Sequence, residues 1–335
     1  MSGKLLEIEG LSVAFRGLRG ATEVLGRASF TVAPGEIVGI VGESGSGKSV
    51  MALAIMRLLG ANGAITGGEV RFEGRDLATL DQAELLAVRG RRIGMVFQEP
   101  MTSLNPLFTV GYQLGEVLAT HLGLTGAAAR ARVVELLGEV GIAAPAERAA
   151  AYPHQLSGGL RQRVMIAMAM ACRPKLLIAD EPTTALDVTI QAQILELMRR
   201  ISRSAGTAIL LITHDMGVVA RMADRVLVVY AGQIVEDAPA RALFARPAHP
   251  YTRLLLAAMP TPRRKSARLP VIPGALPAPD RLPPGCRFHP RCPMAIEPCR
   301  AAPPEMAELG AGRRSRCIRA PELLAESVAG LEAVR

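Results

Sequence analysis

Eight residues, Gly42-Glu43-Ser44-Gly45-Ser46-Gly47-Lys48-Ser49, stand between an apolar strand pattern (EIVGIV, 36–41) and a helical run (SVMALAIMRLL). In that context the glycines let the backbone wrap closely, so that its N–H groups face an anion. The helix start adds a favourable dipole. Lys48 can reach the β and γ phosphates of a nucleotide, and the Ser49 hydroxyl can ligate Mg²⁺. A merely Gly-rich turn would not need the flanking strand and helix. A second run, Lys175 to Pro182 (KLLIADEP), ends an apolar strand in adjacent carboxylates. They fall at the sheet edge where ligands bind in α/β folds. Asp180 suits a Mg²⁺ shell and Glu181 the activation of a water; alone, such an ending is also a solvated turn or a helix cap. A third, LSGGLRQR (156–163), opens the helical run VMIAMAMAC. Ser157 there is either a plain N-cap or, with Gly158 and Gly159, part of a second anion site at a helix start.

Four thiols, Cys286, Cys292, Cys299 and Cys317, fall close together near the C-terminus with spacings C-x5-C-x6-C-x17-C. In a cytosolic chain such a cluster argues for metal rather than disulfides. Structural zinc favours short C-x2-4-C pairs, which are absent, whereas a [4Fe–4S] cluster needs four thiolates and tolerates wider spacing. Both metals and free thiols stay open. Cys172 is expected to be a buried thiol in the helix after residue 157, and not a ligand.

The elements that must position these groups follow from the apolar pattern. Short apolar strands at 36–41, 175–180, 208–213 and 225–230 alternate with helical stretches, which predicts an α/β core with a mainly parallel sheet. Two closely spaced strands near the start, LLEIEGLSVAF and RASFTV, predict an antiparallel edge. Residues about 99–156, rich in Ala, Leu and Gly, break the alternation and predict a helical insertion. From Pro260 proline is dense, which predicts a loop-rich tail that needs a staple. The expected division is therefore a nucleotide-binding domain over 1–250 and a C-terminal extension over 251–335.

The chain has 335 residues, half of them hydrophobic, with 3% aromatics and no Trp, so Ala, Leu, Val and Met must fill the core. No apolar run approaches the ~18 residues needed to span a bilayer, and the start has no secretory pattern. A soluble, cytoplasmic chain is expected, with any membrane association made through a partner. Of the formal charge of +9, much lies in the tail, where 263–335 holds 13 basic and 7 acidic residues. No basic stretch is interleaved with aromatics, which argues against nucleic acid.

In this order the motifs resemble those of the ABC-transporter ATPases: the phosphate loop (Walker A), Gln98 after the strand IGMVF (Q-loop), LSGGLRQR (signature) and LLIADE (Walker B). Ala185-Leu186-Asp187 (D-loop) and His214 in LLITHD (H-loop) complete the set. Phe15 sits where the family places an aromatic on adenine. The resemblance implies two copies facing head to tail. Each ATP would lie between one phosphate loop and the other copy's Ser157-Gly158-Gly159, with Gln162 beside them. It implies that Gln98 senses the γ-phosphate and Mg²⁺, that His214 holds the γ-phosphate and helps orient Glu181, and that Asp187 contacts the opposite subunit. The segment Glu99 to Pro106, the run His249-Pro250-Tyr251-Thr252, and Gly285-Cys286 to Cys292-Pro293 resemble the oligopeptide/dipeptide/nickel uptake branch over about 1–320. One departure is Arg313-Arg314-Ser315-Arg316, where the branch often has a His. The branch implies two integral membrane permease subunits, a second related ATPase, an extracytoplasmic substrate-binding protein, and a peripheral place on the cytoplasmic face of the inner membrane. Some of its members carry a [4Fe–4S] cluster in the extension. Peptides are the expected cargo, with nickel or glutathione-type uptake as alternatives. ABC ATPases of DNA repair or translation usually carry long coiled coils or two ATPase halves, and neither pattern occurs here.

Overall fold

The computed structural model describes residues 3–18, 20–98, 103–184, 186–259 and 271–325. Glu99 to Thr102 and Ala185, which belong to two of the sequence motifs, lie outside the described residues. The chain forms two compact units interleaved along the sequence: one holds 1–5, 32–36 and 73–211, the other 6–31, 37–72 and 212–335.

In the first unit the strands Ile93–Val96, Leu176–Asp180 and Ala208–Ile212 lie side by side, the first two parallel with Ile93 opposite Leu176. They are fully or almost fully buried runs of Ile, Leu, Val and Ala, as strands covered on both faces require. The expected helical insertion is present as Val110–Leu122, Gly126–Glu139 and Pro145–Ala149. Thr109 caps the first through its hydroxyl, and Gly123, left-handed at φ 67°, ends it.

In the second unit Ile37–Val41 runs parallel to Arg225–Tyr230, which pairs antiparallel with Gln233–Pro239. The expected antiparallel edge is also here. Leu6–Gly17 pairs with Gly63–Phe72 from Leu6↔Phe72 to Phe15↔Gly63; sequence patterning does not single out this second strand, because its Gly and Thr residues dilute any alternation.

The tail differs from the loop-rich expectation: it adds the short helices Glu297–Ala301 and Ala320–Ala325, and it adds strands. Arg314–Ser315 pairs with Asp237 and Glu236, and Ala307–Glu308 pairs with Arg314–Ser315. Phe288, 1% exposed, enters a core cluster with Val228, Tyr230, Leu243 and Tyr251. Its ring lies 5.1 Å from Tyr230 and 5.3 Å from Tyr251, and those two are 4.7 Å apart, distances at which edge-to-face pairs add to burial. In an aromatic-poor chain, three rings are concentrated where the tail docks. Among the described residues no helix is long and apolar enough to cross a membrane.

Candidate functional site

The strand Ile37–Val41 delivers the chain into the loop 42–47, and the helix Lys48–Ile55 leaves it. Gly45 and Gly47 take left-handed φ values of 80° and 101°, and a Cβ on Gly42 would stand 2.1 Å from the Val229 carbonyl oxygen. Only glycine suits these positions. The helix start carries no side-chain cap, so its first N–H groups remain directed at an anion. Ser46 is fully buried and its Oγ has no hydrogen-bond partner. Lys48, 5% exposed, donates to the carbonyls of Gly42 and Glu43, both at 2.9 Å. A buried ammonium on the loop and a buried hydroxyl without a partner are groups that suit a phosphate. Ser44 and Gly45 are exposed and Ser49 is half-buried.

Two further residues grip this loop. The N–H of Glu43 donates to Tyr251 Oη at 2.9 Å. The carboxylate of Glu43 accepts from Arg291 at 2.8 and 3.1 Å. Tyr251 is set by the run at 249–252: His249 caps the helix Pro250–Ala257 by accepting the Tyr251 N–H on Nδ1 at 3.1 Å. That acceptor role needs a neutral ring, and burial pushes His249 down to about 3. The sequence alone assigns no role to Tyr251 or Arg291; the only signal is that both fall inside the runs that mark the branch.

Phe15, in the same unit, is half-buried and packs over Gly63, where a Cβ would come 2.7 Å from its ring. It is an edge aromatic with one face cleared by a glycine, and not a core residue. His214 is exposed, just after the strand ending at Ile212.

The other half of the expected set belongs to the first unit. Asp180 ends its strand 5% exposed. Glu181 follows with φ 47°, a left-handed conformation for a non-glycine residue, the kind of strain that clusters at functional sites. Its Oε2 accepts from Thr184 Oγ1 at 2.8 Å and from Gln98 Nε2 at 3.3 Å, so the structure brings Gln98 and Glu181 together. Ser157 and Gly158 are exposed at the start of the helix Gly158–Met170, where Ser157 accepts the Leu160 N–H at 3.4 Å. A Cβ on Gly159 would meet Ile190 at 2.8 Å. Gln162, by contrast, is 1% exposed with its Nε2 unpartnered, so its amide faces its own unit's interior. Asp187 is exposed and caps the helix Val188–Ala205 through Ile190 N–H at 2.9 Å. Cys172 is half-buried just beyond the helix end at Met170, not within the helix.

The tail thiols form a site of their own. Cys286, Cys292, Cys299 and Cys317 line one apolar-walled cavity with Phe288, Pro298 and Arg319. The space between them is tight. Burial pushes the Cys286 and Cys292 thiols up, and Cys317 up to about 12. Backbone N–H groups of Phe288, Met294 and Arg319, each two residues past its cysteine, act in the opposite sense on Cys286, Cys292 and Cys317, as does the charge of Arg316 near Cys286 and Arg319 near Cys292. Among the described residues, no group of three or more His, Cys, Asp or Glu is arranged to hold a metal ion.

Comparison with known proteins converges on one family. Residues 25–184 match the ABC transporter family, and residues 235–299 match the oligopeptide/dipeptide transporter C-terminal region. The chain is 50% identical over 313 residues to the dipeptide transport ATP-binding protein DppD of Escherichia coli, covering 93% of this chain and 96% of that protein. Among solved structures it is similar to the ATP-binding cassette MJ0796 in a dimeric post-hydrolysis state bound to ADP and Pi. The TM-score is 0.64 at 30% identity, over 70% of this chain and 99% of that one. It is also similar to cbiO1 of Clostridium perfringens, part of the ABC transporter complex cbiONQ, with a TM-score of 0.62 at 27% identity over 72% of this chain and 91% of that one.

Proposed function

Because the chain belongs to the ABC transporter ATP-binding proteins and carries the C-terminal region of oligopeptide/dipeptide transporters, we propose that it is the ATP-hydrolysing subunit of a peptide importer. The observation that carries this is the phosphate loop with its open helix start, inward Lys48 and orphaned Ser46 hydroxyl, in a chain half-identical to a dipeptide transport ATP-binding protein along nearly its whole length. In this reading residues 1–250 are the ATPase domain and 251–335 the extension. The loop N–H groups and Lys48 bind the β and γ phosphates, and Phe15 meets the adenine. Ser49, Asp180 and Gln98 would hold Mg²⁺, which would supply charge neutralisation for the phosphates. Glu181 takes the proton of the attacking water, and His214 holds the γ-phosphate. Ser157, Gly158 and Gly159 face the nucleotide of a second, related ATPase, whose surface Asp187 also meets. Gln162, buried in its own unit, supports that helix from behind.

Two permease subunits and an extracytoplasmic binding protein complete the importer, with this chain peripheral on the cytoplasmic face. Those subunits select the cargo, so nickel or glutathione-type uptake is decided outside this chain. In the reconstituted transporter, Lys48→Ala is expected to weaken ATP binding by roughly ten- to a hundred-fold, the scale of removing one charge-assisted hydrogen-bond donor from a buried site, and to stop peptide uptake. Uptake that continues without ATP would overturn the reading.

The permease contact falls at Glu99 to Pro106. Just past this segment Leu107 is 77%, Phe108 42% and Tyr112 55% exposed, the last two stacked with centroids 4.6 Å apart. An apolar patch of this kind marks a partner surface, and it begins nine residues after Gln98. A cysteine placed at Ser103 is expected to cross-link to a cytoplasmic loop of the permease in the whole complex; no capture would place the contact elsewhere.

In the tail, we propose a [4Fe–4S] cluster on the four thiols. All four face one cavity, N–H donors aim at three of them, and two arginines offset anionic sulfur. Such a cluster would be held by Cys286, Cys292, Cys299 and Cys317 and would serve as a structural staple. A single zinc ion would gather all four thiolates onto one centre at about 2.3 Å, whereas a cluster spreads them over its irons.

A further inference from the structure

We infer that Arg291, on the turn between two of the tail cysteines, is a positioning residue for the phosphate loop: it neutralises Glu43 and fixes that loop for the nucleotide. The inference rests on the reading of residues 42–49 as the phosphate site and concerns how this chain tunes it.

Glu43 is the second residue of a loop whose N–H groups and Lys48 are arranged for an anion. A bare carboxylate there opposes a polyphosphate, since like charges a few ångströms apart near a protein surface interact by kcal/mol amounts. Arg291 removes that opposition. Its two terminal nitrogens take one carboxylate oxygen each, at 2.8 and 3.1 Å, the fork geometry that only Arg supplies. The pair is well shielded, with the side chains 7% and 25% exposed. Arg291 is itself held on every side. Its Nε donates to the Pro273 carbonyl at 2.7 Å, its guanidinium lies 5.8 Å from the Tyr230 ring centre, and a terminal nitrogen lies 3.4 Å from Tyr230 Oη. Tyr251 takes the N–H of the same Glu43, so backbone and side chain of one loop residue are fixed together.

The anchor of this arrangement is the cysteine loop. Arg291 ends the short turn His289–Arg291, immediately before Cys292. Phe288, two residues past Cys286, packs on both Tyr230 and Tyr251. Side chains at both ends of the turn therefore meet the residues that grip the loop. A tail attached at this point does more than extend the chain; it completes the wall of the phosphate loop.

The test measures equilibrium ATP affinity, ATP KM and kcat in the assembled transporter. Arg291→Met is expected to raise Kd and KM for ATP roughly five- to ten-fold, the effect of uncovering one charge beside the phosphates, with kcat within about two-fold. Adding Glu43→Gln to Arg291→Met is expected to recover most of that loss, because the uncovered charge is then gone. A tail merely loosened by the mutation would not be repaired by a change at residue 43. Arg291→Met with wild-type ATP affinity, or a double variant as weak as Arg291→Met, overturns the inference. Should Arg291→Met not fold, Arg291→Lys decides. It keeps the charge and loses the fork, and is expected to raise KM about two- to three-fold; an unchanged KM overturns the inference. Lys48→Ala run alongside separates the two levels. If it too leaves ATP binding intact, the phosphate-loop reading has failed; if it weakens binding while Arg291→Met does not, only the role of Arg291 has.

Discussion

Glu181→Gln is expected to bind ATP as the wild type does and to hydrolyse it at least a hundred- to a thousand-fold more slowly, the range lost with a general base. The substitution is close to isosteric. Thr184 Oγ1 can still donate to the side-chain oxygen it meets at 2.8 Å, so the local turn is kept, while the amide cannot accept a proton. Asp180, the neighbouring carboxylate, is 5% exposed at the end of its strand and suited to a metal shell, and Glu181 is the carboxylate assigned to the water. The left-handed φ of 47° at Glu181 points the same way: a conformation that costs about 1–3 kcal/mol persists where the surroundings impose it. Binding without turnover also predicts that the two ATPase subunits accumulate closed around ATP. Equilibrium ATP binding and single-turnover hydrolysis in the assembled transporter separate the two effects. Hydrolysis near the wild-type rate would assign the base to another residue.

The parts of this chain legible in its sequence are those in which local pattern and tertiary role agree. The strands at 37–41 and 176–180 are buried apolar runs, the second ending in Asp180, and the loop between Gly42 and Lys48 announces itself by glycines that no side chain could replace. The parts that are not legible depend on residues far apart in the chain. Gly63–Phe72 pairs with a strand more than fifty residues earlier, and its register across Gly63 is what clears space for Phe15. Tyr251 and Arg291 reach Glu43 across 208 and 248 positions, and no spacing rule links residues so distant. The tail misleads for a different reason. Its proline density masks Phe288, a single buried ring that ties it to the core. Gln162 lies within a motif that reads as a ligand-facing run, yet helical periodicity turns its side chain inward.

Loss of any one tail cysteine is expected to remove iron from the protein as a whole, not in part, since a [4Fe–4S] cluster needs four thiolate ligands. The loops that carry them are short and irregular. Cys286 N–H donates to the Cys299 carbonyl at 2.8 Å, and Gly285, at φ 69°, would place a Cβ 2.4 Å from that same oxygen, so two of the ligand loops are already clasped. Burial pushes the Cys286 and Cys292 thiols up, and Cys317 up to about 12. The backbone N–H groups and the charges of Arg316 and Arg319 offset that cost only when sulfur is anionic. Anaerobically purified protein is therefore expected to show the broad visible absorbance of an iron–sulfur centre and about four irons per chain. Cys286→Ser is expected to lose both, and to expose the tail to limited proteolysis on the order of ten-fold faster, as an unstapled segment opens locally. Colourless protein with stoichiometric zinc would keep the staple and overturn the cluster. Metal-free protein whose tail resists protease as the wild type does would overturn both, and would leave Phe288 and the paired strand at Arg314–Ser315 as what orders the tail.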